Sequence, residues 1–199
     1  MTQYHRPALP GPELFEAQAG EVDPADRIEA GTRVATLLVR GPRDADDQAL
    51  VDRVLHLADE EGLDALAELW SGAPVDSLAG CLWRLYVLRT WVRRQPDLAA
   101  REFAAGKQFA PVDEVIAGVE DPPGPTEVAE LVDTLVRGLV GDDLATTLDR
   151  AAAFARLVGV GRAHLADDPP QSTQSAARLV ETAHVLQHAA RQERLGSLR

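Results

Sequence analysis

Cysteine is almost missing from this chain. Cys81 is the only one in 199 residues, so neither an intrachain disulfide nor a cysteine-based zinc site can form. Lysine is equally scarce: Lys107 stands alone, which makes nineteen of the 20 basic residues arginine. With heavy use of alanine, glycine and proline, that bias points to a GC-rich bacterial genome. Aromatic residues make up 5% of the chain, and the aromatic and β-branched clusters that mark strands are lacking. Positive charge is in deficit, 20 basic residues against 32 acidic ones, for a net charge of −12. An acidic body repels the phosphate backbone, which argues against general nucleic-acid binding, and the local cluster of Arg84, Arg89, Arg93, Arg94 and Arg101 is expected to meet the chain's own acidic helices or an acidic partner. No basic-then-apolar leader occupies the first thirty residues. No apolar run reaches the roughly 20 residues that a membrane span needs. A cytoplasmic protein with no membrane association is therefore expected.

Motifs of chemistry are also lacking. There is no Gly-x-Ser-x-Gly elbow for acyl transfer and no His-Glu-x-x-His zinc helix. Gly159-Val-Gly161-Arg162 superficially resembles a phosphate loop, but it comes late in a helical stretch instead of following a strand. A frayed or kinked helix end is expected there. No cofactor is expected, and the sequence leans away from an enzyme.

What the chain does have is helix. Hydrophobic residues make up 45% of it and charged residues 26%, ordinary for a globular protein, and alanine, leucine and arginine favour helix over sheet. The fold class expected is all-α, an irregular or orthogonal bundle of about eight to nine helices around a central apolar helix at 77–94. That stretch holds Leu78, Cys81, Leu82, Leu85, Leu88 and Val92 on one broad face, with Trp83, Tyr86, Val87 and Trp91 filling most of the remainder. Apolar side chains nearly all round a helix mean burial on several sides. Ser77 can cap its start and Pro96 stops it.

The rest of the chain reads in order as arm, helices and breaks. Residues 1–22, with Pro7, Pro10 and Pro12, are expected to form an extended arm or a disordered tail. A helical domain is expected over 23–166, opened by Asp23-Pro24 as cap and first helical residue and interrupted at Gly41-Pro42, Gly62, Gly72 and Asp121-Pro-Pro-Gly-Pro125. One or two further turns are expected over 112–119. Val128, Leu131, Val132, Leu135 and Leu139 follow the helical repeat, as do Leu144, Leu148, Ala151, Ala155 and Val158 up to about His164. After Asp167-Asp-Pro-Pro170 comes a C-terminal helix over 171–196, docked or partner-binding. Its stripe is Ala176, Leu179, Ala183, Leu186 and Ala190.

Two clusters merit weighing as sites. By helical arithmetic Arg89 falls inside the leucine stripe of the 77–94 helix, and a buried guanidinium is costly unless paired. It is expected to meet a carboxylate of another helix, with Glu68, Glu102 and Asp133 as candidates. Alternatively, Arg84, Tyr86, Arg89 and Trp91 line a pocket for an anionic ligand, with Arg84 placed to stack on Trp91. The second cluster is Glu181, His184 and His188, whose spacing puts three potential metal ligands on one helix face. It lies beside the apolar stripe and lacks a second Glu-x-x-His, so solvated surface is the simpler reading. The function expected first is a protein-interaction or regulatory module, whose partner is another protein or a second copy paired as a homodimer through the C-terminal helix. A small-molecule binding protein or enzyme using the arginine pocket comes second. A metal-dependent enzyme using the Glu181/His184/His188 cluster comes third.

Overall fold

The computed structural model describes residues 23–61, 63–109, 124–136, 144–165 and 169–199. Among these residues there are eight helices and no strand, as expected of an all-α bundle. The N-terminal arm, the turns expected over 112–119, most of the proline-rich break at 121–125 and the 141–143 turn lie outside them.

The start of each early helix follows from local chemistry. In α1 (Pro24–Arg40) the Asp23 side chain accepts from the Ala25 amide at 2.9 Å with Pro24 in the first turn, where its missing N–H costs nothing. Gly41, at φ 79°, ends the helix by donating its N–H to the Leu37 carbonyl. Asp44 accepts from the Asp47 amide at 2.8 Å ahead of α2 (Ala45–Glu61). The short α3 (Leu63–Trp70) lies against α1 so closely that a Cβ on Gly31 would overlap the Leu69 carbonyl, and Trp70 Nε1 donates to the Gly31 carbonyl at 3.2 Å. α4 (Leu78–Arg94) is the apolar helix, capped by Ser77, whose hydroxyl accepts from the Gly80 amide at 3.1 Å.

Pro96 both stops α4 and opens α5 (Pro96–Phe109). α5 runs on through Gly106, which is packed against the Leu157 backbone of α7 and does not end the helix. α6 (Pro125–Val136), α7 (Leu144–His164) and α8 (Pro169–Arg194) complete the bundle. α8 begins at the two prolines that the sequence marked as a break; proline is tolerated in a first helical turn.

α4 lies in the main core, where Leu78, Cys81, Leu82, Leu85 and Leu88 meet Val34 and Leu38 of α1 and Leu66 and Trp70 of α3, together with residues of α7 and α8. α7 shares the central position. Twelve of its 21 residues are buried, against eight of 17 in α4. Glycines make this possible: Gly161 lies against the Glu102 carbonyl and Gly106 against Leu157 on the α5 side, while Gly159 faces the Ala176 carbonyl of α8. The Gly159–Gly161 segment is thus continuous, buried helix at two close helix crossings, and not the frayed end expected from sequence. Small residues there let backbones approach and bury area that larger side chains would hold apart.

α8 packs along α7, and Ala176, Ala183, Leu186 and Ala190 of its stripe are buried within the chain's own core. Beyond α8, Gly196 at φ 67° turns the chain back. Leu198 enters the core, and the Arg199 carbonyl accepts from the Leu78 amide at 2.6 Å, one of the donors that a helix N-terminus leaves unpaired. Arg40 of α1 pairs with Glu193 across the same end.

Cys81 is fully buried, and burial pushes its thiol up to about 12. Thiolate is the reactive form, so a disulfide-exchange reagent at pH 8 is expected to leave the native protein unmodified and to label one thiol once denaturant is added. Stoichiometric labelling without denaturant would contradict this burial.

Candidate functional site

The most deeply buried charged residue among the described residues is Glu102 of α5, and the polar constellation around it centres on Arg162, near the end of α7. Its Nε and Nη2 donate to the two carboxylate oxygens of Glu102 on α5 at 2.9 and 2.8 Å, and its Nη1 donates to the Ser175 hydroxyl of α8 at 2.6 Å. Its guanidinium also lies over the Trp91 ring of α4, 5.0 Å from the centroid. One side chain therefore joins four helices. The Glu102 side chain is 6% exposed and that of Arg162 17%, so each charge is stable there only because the other is present.

A groove of about 410 Å³ opens beside this junction, between α4 and α8. Its volume is in the range of small-molecule sites. The floor is apolar, from Val87 and Leu88 of α4 and Leu179 of α8, with Trp83 and Trp91 along one side. Among the described residues three arginines line it, Arg84, Arg162 and Arg178, and no carboxylate does. Arg162 is satisfied by Glu102. Arg84 donates, among the described residues, to the Gly80 carbonyl of its own helix, at 2.8 Å. Among the described residues neither Arg84 nor Arg178 has a carboxylate partner. In a chain of net charge −12, two guanidiniums without counter-charge in one apolar groove make a local field that favours an anion.

The residues singled out from sequence divide between this groove and other places. Arg84 and Trp91 line it. The cation over Trp91 is Arg162, however, and Arg84 turns back towards Gly80. Tyr86 points elsewhere: its hydroxyl donates to Asp64 of α3 at 2.6 Å, and its ring stacks on Trp83 at 5.6 Å. Burial, then the Asp64 hydrogen bond, raise its pKa. Arg89 is half-buried, engaged within the structure and not part of the groove wall. Of its three expected partners, Glu102 has both oxygens bound by Arg162, Glu68 is exposed, and the Asp133 side chain lies outside the described residues. A buried ion pair of the kind expected for the leucine stripe is formed by Arg162 of α7 with Glu102.

Glu181, His184 and His188 are all exposed on the outer face of α8, with His188 hydrogen-bonded to Gln192 at 2.8 Å. Among the described residues no group of three or more His, Cys, Asp or Glu side chains is disposed to hold a metal ion.

The residues missed from sequence are Arg162, Ser175, Arg178 and Thr182. A signal for three of them was present: Ser175, Arg178, Leu179 and Thr182 follow the i, i+3, i+4, i+7 spacing of one helix face, a half-polar face set beside the apolar stripe. No family model matches the chain, and neither a curated protein nor a solved structure matches it.

Proposed function

We propose that this chain is a binding protein for a small organic anion with an apolar body, held in the α4–α8 groove. The observation that supports this most is the pair of uncompensated guanidiniums, Arg84 and Arg178, over a tryptophan- and leucine-lined floor. Guanidinium favours carboxylate and phosphate in forked hydrogen bonds, and the indole faces offer flat apolar area. Ser175 adds a donor: its oxygen accepts from Arg162, which leaves its own proton free for a ligand. Binding is favoured over catalysis because the described lining residues include no histidine, cysteine or carboxylate to act as acid, base or nucleophile.

The affinity to be expected is modest. A ligand of about fifteen non-hydrogen atoms at roughly 0.4 kcal/mol each corresponds to a Kd of tens of micromolar. At about fifty times that concentration it stabilises the fold by about 2 kcal/mol, or roughly 5 °C in Tm. A thermal-shift screen of aryl and alkyl carboxylates and phosphates against their uncharged amides and alcohols tests this. Shifts of that size confined to the anions, and lost in Arg84→Gln with its helical circular dichroism unchanged, are expected. No shift with any anion, or equal shifts with the uncharged analogues, would overturn the reading.

A further inference from the structure

The two unpaired guanidiniums do not sit side by side, and their placement narrows the ligand further, provided that the anion-binding reading above holds. α4 and α8 run in opposite directions. Trp91, late in α4, meets Arg162, which meets Ser175, early in α8. At the other end, Leu78 at the start of α4 is hydrogen-bonded to Arg199, beyond the end of α8. Ser175 is therefore level with Trp91, and Thr182, two turns on, is level with Arg84.

Side chains on a helix lean towards its N-terminus. Arg84 does so, reaching back to the Gly80 carbonyl; this carries its charge away from Trp91. For Arg178, exposed at the groove rim on the reversed helix α8, the preferred lean runs the opposite way in space, towards Ser175 and the Trp91 end. The cations thus mark opposite ends of the groove. Positions 84 and 91 are seven residues apart on α4, roughly 10 Å at the helical rise, and the outward lean at Arg84 adds about one further turn. Between them the described lining is mainly apolar, Val87, Leu88 and Leu179, and the one hydroxyl, of Thr182, is spent on the Arg178 carbonyl.

From this we infer that the groove takes an elongated dianion, with one carboxylate or phosphate at each end of a linear or flat apolar body roughly 10–15 Å long. One anionic end meets Arg84. The other meets Arg178 and the Ser175 hydroxyl. A single-headed amphiphile held at the exposed Arg178 would lay its apolar tail against the half-buried Arg84, which costs the desolvation of an unpaired charge.

Isothermal titration of the full chain with the α,ω-diacids from octanedioate to tetradecanedioate, each beside the monoacid of the same length, tests the inference. At least one diacid near decanedioate is expected to bind about tenfold or more tighter than its monoacid. Arg84→Gln and Arg178→Gln, each checked for native circular dichroism, should each reduce that diacid to the monoacid's affinity. Monoacids binding as tightly as diacids at every length would overturn the two-ended ligand and leave the anion-binding groove standing. If neither series binds while other anions stabilise the fold in the thermal screen, the elongated ligand fails alone. Silence in both experiments removes the groove reading as well.

Discussion

Arg162→Met is expected to lower stability by about 4 kcal/mol, or roughly 8–16 °C in Tm for a chain of this size. The loss is mostly not the value of the contact. Removing the guanidinium leaves the Glu102 carboxylate 96% buried as a residue, with no counter-charge at either oxygen, and an uncompensated buried charge is what costs several kcal/mol. The double variant Glu102→Leu/Arg162→Met should recover most of the loss, because a buried ion pair replaced by apolar groups is often close to neutral. Chemical denaturation of the two single variants and the double closes a cycle whose coupling term measures the pair. A single Arg162→Met variant within about 1 kcal/mol of the wild type would show that Glu102 reaches solvent or another cation.

Gly161→Ala carries the second large effect, and its sign opposes helix propensity. Alanine is favoured over glycine by about 1 kcal/mol inside a helix, so an isolated helix would gain. In this fold a Cβ at 161 would overlap the Glu102 carbonyl and lie 2.8 Å from the Gly106 amide. Both obstacles are backbone, which cannot rotate away. The α5–α7 crossing must open, and overpacking of this kind costs about 3 kcal/mol net of the propensity gain. Gly72→Ala is the control: its Cβ would meet nothing nearer than Ile28 Cγ1 at 3.9 Å, and a change within about 0.5 kcal/mol is expected. Urea midpoints for the two variants separate the cases; equal, small effects would contradict the tight crossing.

These two residues show where sequence reading stops. The helices themselves were legible because their ends are local: Asp23-Pro24, Gly41, Ser77 and Pro96 act on neighbours within four residues. The apolar girth of α4 likewise announced its burial. α7 did not announce itself, because its buried surface is largely alanine and glycine, which carry little hydrophobic weight in a periodicity. Its central place comes from how closely other backbones approach it, and that depends on residues far along the chain. Arg89 and Arg162 differ in the same way. The sequence marks Arg89 as a cation in apolar surroundings and gives Arg162 no such mark; that Arg162 meets Glu102, 60 residues away, is decided by the α5–α7 crossing. The groove has the same character. Its α4 wall could be read from Arg84 and Trp91, whereas its α8 wall becomes visible only once α4 and α8 are known to run antiparallel.

The most direct test is a crystal structure of the chain grown with decanedioate. The expected result is the diacid lying along the α4–α8 groove over Leu88 and Leu179, with one carboxylate on Arg84 and the other on Arg178 and Ser175. An empty groove with the diacid bound elsewhere, or α8 packed flush against α4 with no groove between them, would contradict it.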